Sequence, residues 1–194
     1  MMRQDVYGVD SSKKKQVPRF VIRHSDKFVN AETVLDIGAG HGRFLEWFLK
    51  YTNVRKYIAV EPWQPFVSRL RKIVSKYSNR KAEVVIINKP WQDVRDVLLR
   101  EVYDVIVAWD VFMFMDLRDI WKLEDYQACV ANEICELVKH CRWLLLSFQR
   151  SKYGLPGLRD FEDFKTIVSL ANKLCRLDIV DKFSCLNYLI RGKA

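Results

Sequence analysis

Glycine and proline are scarce in this chain, seven and five in 194 residues, and they sit in a few short turns rather than in tracts. Collagen-like and low-complexity architectures are thereby excluded. No flexible linker divides the sequence, so one domain over residues 1–194 is expected. Long apolar runs are missing as well. Val105 to Trp109 and Trp143 to Phe148 are strand-sized, far short of the roughly 20 apolar residues that cross a bilayer, and a soluble protein is expected. Residues 1–10 have neither the basic start nor the apolar centre of a secretory signal. The three histidines, His24, His41 and His140, have no metal-ligand spacing with a cysteine or carboxylate, so no metal is expected. The five cysteines (Cys129, Cys135, Cys141, Cys175 and Cys185) form no Cys-x-x-Cys pair. Their odd number and apolar neighbours point to a reducing, cytoplasmic setting.

What is present is apolar substance and positive charge. The chain is 49% hydrophobic and carries a formal net charge of +9. Residues 1–30 hold seven Lys/Arg against three acids, and Arg69 to Lys89 hold seven against Glu83 alone. Such clusters attract phosphates, although long cationic side chains also cover ordinary solvated helix faces.

Short Val- and Ile-rich runs alternate with segments of helical period, the pattern of an α/β fold with a mostly parallel sheet. The expected strands are Thr33–Ile37, Tyr57–Val60, Val84–Ile87, Tyr103–Trp109, Trp143–Phe148, Leu177–Val180 and Leu186–Ile190. Helices are expected over Val17–Phe28, Arg43–Tyr51, Phe66–Tyr77, Val94–Leu99 and Leu123–Leu137, with a last one after Asp160, a candidate cap. Residues 1–30 read as a basic helical lead, 31–150 as the ligand-binding core, and 151–194 as a closing helix with two strands.

The most informative segment is Val34-Leu35-Asp36-Ile37-Gly38-Ala39-Gly40-His41-Gly42-Arg43-Phe44, a buried strand entering a glycine turn and then a helix. Glycine permits unusual backbone angles and lets a ligand approach the main chain, and a loop-helix junction presents free N–H groups. The segment reads as a nucleotide-type site. A dinucleotide fingerprint needs a third glycine where this chain has Arg43, and it lacks an acid two residues before its first glycine. NAD is therefore disfavoured.

Asp36-x-Gly38-x-Gly40-x-Gly42 resembles motif I of the class I S-adenosylmethionine-dependent methyltransferases. That resemblance implies a Rossmann-like, seven-strand sheet with helices on both faces. It places a ribose-binding carboxylate after the second strand, where Glu61 and Pro62 stand. It also puts a polar residue at the end of the fourth strand, near the methionine part of the cofactor, where Asp110 follows Trp109. The acid usual after strand three is missing; Trp91 by stacking or Gln92 by hydrogen bonding would contact the adenine instead. The implied cofactor site is Asp36, Gly38, Ala39, Gly40, Gly42, Glu61, Pro62, Trp91, Gln92 and Asp110. Asn88-Lys89-Pro90-Trp91 is only superficially similar to the Asn-Pro-Pro-aromatic motif of amino-methylating enzymes, because it follows the wrong strand and has Lys89 in place of a proline.

Transfer from a sulfonium is an in-line displacement with an activated donor, which needs alignment more than a base. No catalytic residue is therefore assigned, although His41, Asp110 and Asp116 are near the implied site. The acceptor expected is a small molecule or an exposed protein side chain. A nucleic acid held by the basic residues 69–89 is the alternative, as is a non-catalytic, cofactor-binding partner subunit. Trp63, Trp91, Trp109, Phe112 and Phe114, with Met113 and Met115, are candidates for an acceptor pocket, against the commoner use of such residues in core packing.

Overall fold

Buried Val and Ile favour strands covered on both faces, and the most apolar segments of the chain become the central strands. The computed structural model describes residues 18–111, 123–148, 161–183 and 187–194. Its strands are β1 (Thr33–Ile37), β2 (Lys56–Val60), β3 (Glu83–Ile87), β4 (Tyr103–Trp109), β5 (Cys141–Ser147), β6 (Asp178–Phe183) and β7 (Asn187–Arg191). They form a seven-stranded sheet in the order β3-β2-β1-β4-β5-β7-β6. The expectation of a mostly parallel sheet is corrected: the sheet is mixed. β1 to β5 pair in parallel, whereas β7 is antiparallel to both β5 and β6. A helix, α6 (Phe161–Cys175), returns the chain between β5 and β6, but only three residues separate β6 from β7, too few for the crossover that a parallel pair requires.

The helices are α1 (Arg19–Arg23), α2 (Arg43–Tyr51), α3 (Gln64–Lys76), α4 (Arg95–Leu98), α5 (Leu123–Lys139) and α6. Alternation along β1 sends Leu35 and Ile37 to one face of the sheet and Val34 to the other. The first face packs against α5 and α6 through Ile134, Leu137, Phe164 and Ile167. The second packs against α1, α2 and α3 through Phe20, Phe44, Phe48 and Leu70. At the sheet's outer edge, β6 is polar and exposed, as an unpaired edge should be. Its Asp181 accepts hydrogen bonds from Arg23 at 3.3 Å and His24 at 2.7 Å, tying β6 to α1. Asp104, the second residue of β4, accepts the backbone N–H groups of Glu32 and Thr33 at 2.8 and 3.0 Å and so aligns β4 with β1.

Cysteine spacing alone did not reveal a pair, yet Cys135 of α5 and Cys175 of α6 form a disulfide with their Cα atoms 5.7 Å apart. Cys129 and Cys141 are free thiols. No helix among the described residues is long and apolar enough to cross a membrane. Lys13–Lys15, Phe112, Met113, Phe114, Met115, Asp116, Ser151–Leu158, Asp160 and Cys185 lie outside the described residues.

Gly192 follows β7, where the backbone runs close beside the start of β5. A β-carbon there would lie 1.6 Å from the carbonyl oxygen of Cys141, while the Gly192 and Lys193 N–H groups bond to the carbonyls of Arg142 and Val138 at 2.8 and 2.7 Å. Gly192→Ala should therefore destabilise the fold by about 2–3 kcal/mol. Urea denaturation reads this; an unchanged midpoint would show that the closing strand is not held so tightly.

Candidate active site

Three elements converge at the C-terminal end of the sheet. The loop after β1 carries Gly38, Gly40 and Gly42 at positive φ, 69°, 52° and 75°, a region that glycine reaches without steric cost. The three are not equivalent. A β-carbon on Gly38 would meet Val111 at 2.8 Å, and one on Gly42 would strike Leu70 and Ile73 of α3 at 2.7 and 2.6 Å. In front of Gly40 the nearest atom would be the Gly38 carbonyl oxygen, 3.7 Å away. Gly38 and Gly42 are thus glycines for packing, and Gly40 is the one that, among the described residues, has free space before it.

Glu61, at the end of β2, is the centre of the arrangement. It is only 5% exposed, and both its oxygens are engaged: Oε2 accepts the Gly40 N–H and Oε1 the Trp63 N–H, each at 2.8 Å. Burial raises its pKa, partly offset by those two N–H groups. Each oxygen keeps a second acceptor position. The expected free N–H groups of the glycine loop are mostly consumed internally. Gly38 and Ala39 donate to the Val60 carbonyl at 2.8 and 3.1 Å, and Gly42 donates to Ala39 at 3.0 Å. What the loop offers a ligand is close approach at Gly40 rather than a row of donors.

Asp110, after β4, adopts φ 59°, a left-handed conformation that Asp tolerates better than most residues. Its amide donates to the Ser147 carbonyl at 3.1 Å, and the Ser147 hydroxyl lies 2.5 Å from its carboxylate. Arg43, the first residue of α2, approaches its other oxygen at 3.6 Å while lying over the rings of Phe44 and Trp109. Asp110 is thus fixed beside the glycine loop. Asn88 follows β3 and donates its side-chain amide to the carbonyls of Glu61 and Pro62 at 3.0 and 2.9 Å, which clamps the loop that carries Glu61. The sequence gives Arg43, Asn88 and Ser147 no role at the site, because their contacts depend on the strand order.

Two expected contact residues do not line the site. Asp36 is 1% exposed, faces the α2 layer and accepts the Tyr57 hydroxyl at 2.6 Å; strand alternation turns it away from the loop's open side. Trp91 is 5% exposed and packs under α5, donating its indole N–H to Glu133 at 2.8 Å, so it has no free face for stacking. Gln92 and Pro62 are exposed, and Ala39 is buried. His41 contacts Arg69 at 3.1 Å and packs on Phe66, which in turn meets Trp63 edge to face. No common aromatic pocket joins Trp91 and Trp109, because they belong to cores on opposite faces of the sheet.

Burial pushes the Asp36 carboxyl up from 3.8 to about 7, against the lowering effect of the Tyr57 hydrogen bond. A raised folded-state pKa means that the native protein holds this proton between these two values while the unfolded chain releases it. Stability from this group is full below about pH 4 and lost as pH rises to about 7. Asp36→Asn, neutral throughout, should gain stability relative to wild type between pH 5 and pH 8. Denaturation of both proteins at the two pH values checks it, and a constant difference would refute the assignment.

Comparison with known proteins agrees with this geometry. The family described as "Methyltransferase domain" matches residues 9–121, more than half of the chain. No curated protein matches by sequence. Among solved structures, the fold is similar to the 16S rRNA methylase ArmA, at 17% identity and a TM-score of 0.60 over 90% of this chain and 81% of that one. It is also similar to the magnesium protoporphyrin IX methyltransferase of Synechocystis PCC 6803, solved with S-adenosylmethionine bound, at 12% identity and a TM-score of 0.52 over 89% and 73%. A third likeness is to the bifunctional kinase-methyltransferase WbdD, at 12% identity and a TM-score of 0.67 over 96% of this chain but only 42% of that one. With the family match covering the glycine loop, Glu61 and Asp110, the chain belongs to the methyltransferase-domain family.

Proposed function

We propose that this chain transfers the sulfonium methyl group of S-adenosylmethionine to an acceptor approaching the C-terminal ends of the strands, where open α/β sheets bind ligands. One observation carries the reading: Gly40, the loop glycine with open space in front of it, donates its N–H to the buried carboxylate of Glu61. Close approach to the main chain and a charged acceptor with two remaining lone-pair positions coincide at one place, and together they suit a ribose diol. The donor set therefore fits the cofactor. When bound, the cofactor supplies an already activated methyl group.

The chain's own residues then have positioning roles. Glu61 accepts from the ribose hydroxyls, and the backbone of Gly38, Ala39 and Gly40 forms the wall against which the nucleoside lies. Asp110, anchored by Ser147 and offset by Arg43, faces the methionine end. Gln92, exposed after β3, takes the adenine contact, since Trp91 is committed to the core. No residue is needed as a dedicated base, because alignment with the leaving sulfonium is the main requirement. Residues 1–194 are read as one such domain. The proposed location is cytoplasmic, on the cysteine number and spacing; the Cys135–Cys175 link is the observation against it, since disulfides are rare in that compartment.

Calorimetric titration with S-adenosylmethionine and S-adenosylhomocysteine should give binding, with none of NAD. Glu61→Gln should weaken it by about tenfold or more, since charged hydrogen bonds contribute roughly 1.5–3 kcal/mol each. Gly40→Val should abolish it by filling the approach. Normal binding by both variants would remove the glycine loop and Glu61 from the site.

A further inference from the structure

Charge is not shared evenly between the two helical layers. Residues 18–82, which supply α1, α2 and α3 together with β1 and β2, hold thirteen Lys/Arg against five Asp/Glu, whereas residues 83–194 hold sixteen against seventeen. The stretch that supplies α1, α2 and α3 thus has eight more cations than acids, whereas residues 83–194 are close to neutral. From Gln64 to Ala82 there are six Lys/Arg and no acid. Arg71, Lys72 and Lys81 are exposed and have no acidic partner among the described residues. This row starts at the candidate active site, where Arg69 contacts His41 of the glycine loop at 3.1 Å. It runs about 10 Å along α3 to Lys76.

There it meets a groove of about 820 Å³ floored by the outer face of α2, with Ile22, Val29, Trp47, Lys50, Tyr51 and Tyr77 among its lining. Tyr51 is 56% exposed and Ile22 53%, and the Trp47 and Tyr51 rings lie 6.1 Å apart. Lys50 and Lys76 stand over Tyr51 and Tyr77 at 4.7 and 5.1 Å. The two acids in the groove, Glu46 and Asp26, are each matched by a lysine, Lys76 at 2.6 Å and Lys27 at 2.8 Å. Neither offsets the free cations of α3.

A row of cations that leads from the candidate site to exposed aromatic rings, with Arg71 and Lys72 in it free of acidic partners among the described residues, combines the two components of single-strand recognition, phosphate contact and base stacking. We propose that the α1–α3 face docks an unpaired nucleic-acid strand, with phosphates along Arg71 and Lys72 of α3 and bases against Tyr51 and Trp47. The inference rests on the methyltransferase reading, because the cationic row ends at that site. It moves the favoured acceptor from a small molecule or protein side chain to a nucleic acid.

Fluorescence anisotropy with a labelled, unstructured 12-nucleotide RNA tests it. Wild-type protein should bind with an affinity that falls steeply with salt. Reversal of both charges in Arg71→Glu/Lys72→Glu should weaken binding at least tenfold and flatten the log–log salt slope by about 1.4. Tyr51→Ala should weaken it about tenfold. All three positions are exposed, and both variants should keep wild-type cofactor affinity by calorimetry. Equal binding of DNA of the same sequence supports the surface, since phosphates and base faces are common to both. Equal or tighter binding of polyglutamate or of the duplex, or variants that bind as wild type, overturns the proposal. Absence of cofactor binding with RNA binding intact would overturn the methyltransferase reading and leave the docking surface standing.

Discussion

The carboxylate of Glu61 is the interaction on which the site depends. A buried charge is costly unless its lone pairs are satisfied, and here each oxygen accepts one backbone N–H, from Gly40 on one side and Trp63 on the other. The same two bonds fix the glycine loop of β1 and the start of α3 relative to β2. Asn88 reinforces the clasp from β3 by holding the carbonyls of Glu61 and Pro62. Loops after three adjacent strands are therefore tied together around Glu61, two through its carboxylate and the third through its main-chain carbonyl. A ligand that hydrogen-bonds this carboxylate meets a surface already shaped, with little ordering left to be done on binding.

The two faces of the sheet have separate tasks. α5 and α6 are joined by the Cys135–Cys175 bond and by a core that contains Ile134, Phe164 and Ile167. The α1–α3 layer carries the excess of positive charge and the groove, and it also contributes Arg43 to the surroundings of the site. Asp110 ties the sheet to the α1–α3 layer, since its carboxylate meets Ser147 of β5 on one side and Arg43 of α2 on the other.

Much of this was legible in the sequence because its signals are local. β1, β4 and α2 have the bounds that their apolar periodicity predicts, and the glycine turn with a carboxylate after the next strand marks the Gly40–Glu61 locus. Other features were hidden because they depend on partners far along the chain. Asp36 belongs to the glycine motif, but strand alternation points it under α2, where Tyr57 waits on the neighbouring strand. Trp91 lies in a short turn whose sequence does not say which way the ring faces; Glu133, 42 residues later, captures it. The reversal of β7 and the Cys135–Cys175 pairing likewise follow from how the last helix and strands fold back, which spacing does not reveal.

The most direct test of the central claim is a crystal structure with S-adenosylhomocysteine bound. The account predicts the ribose hydroxyls on Glu61, the nucleoside against the backbone at Gly40, and the homocysteine end towards Asp110. A ligand bound elsewhere, with Glu61 contacting only Gly40 and Trp63, would contradict it.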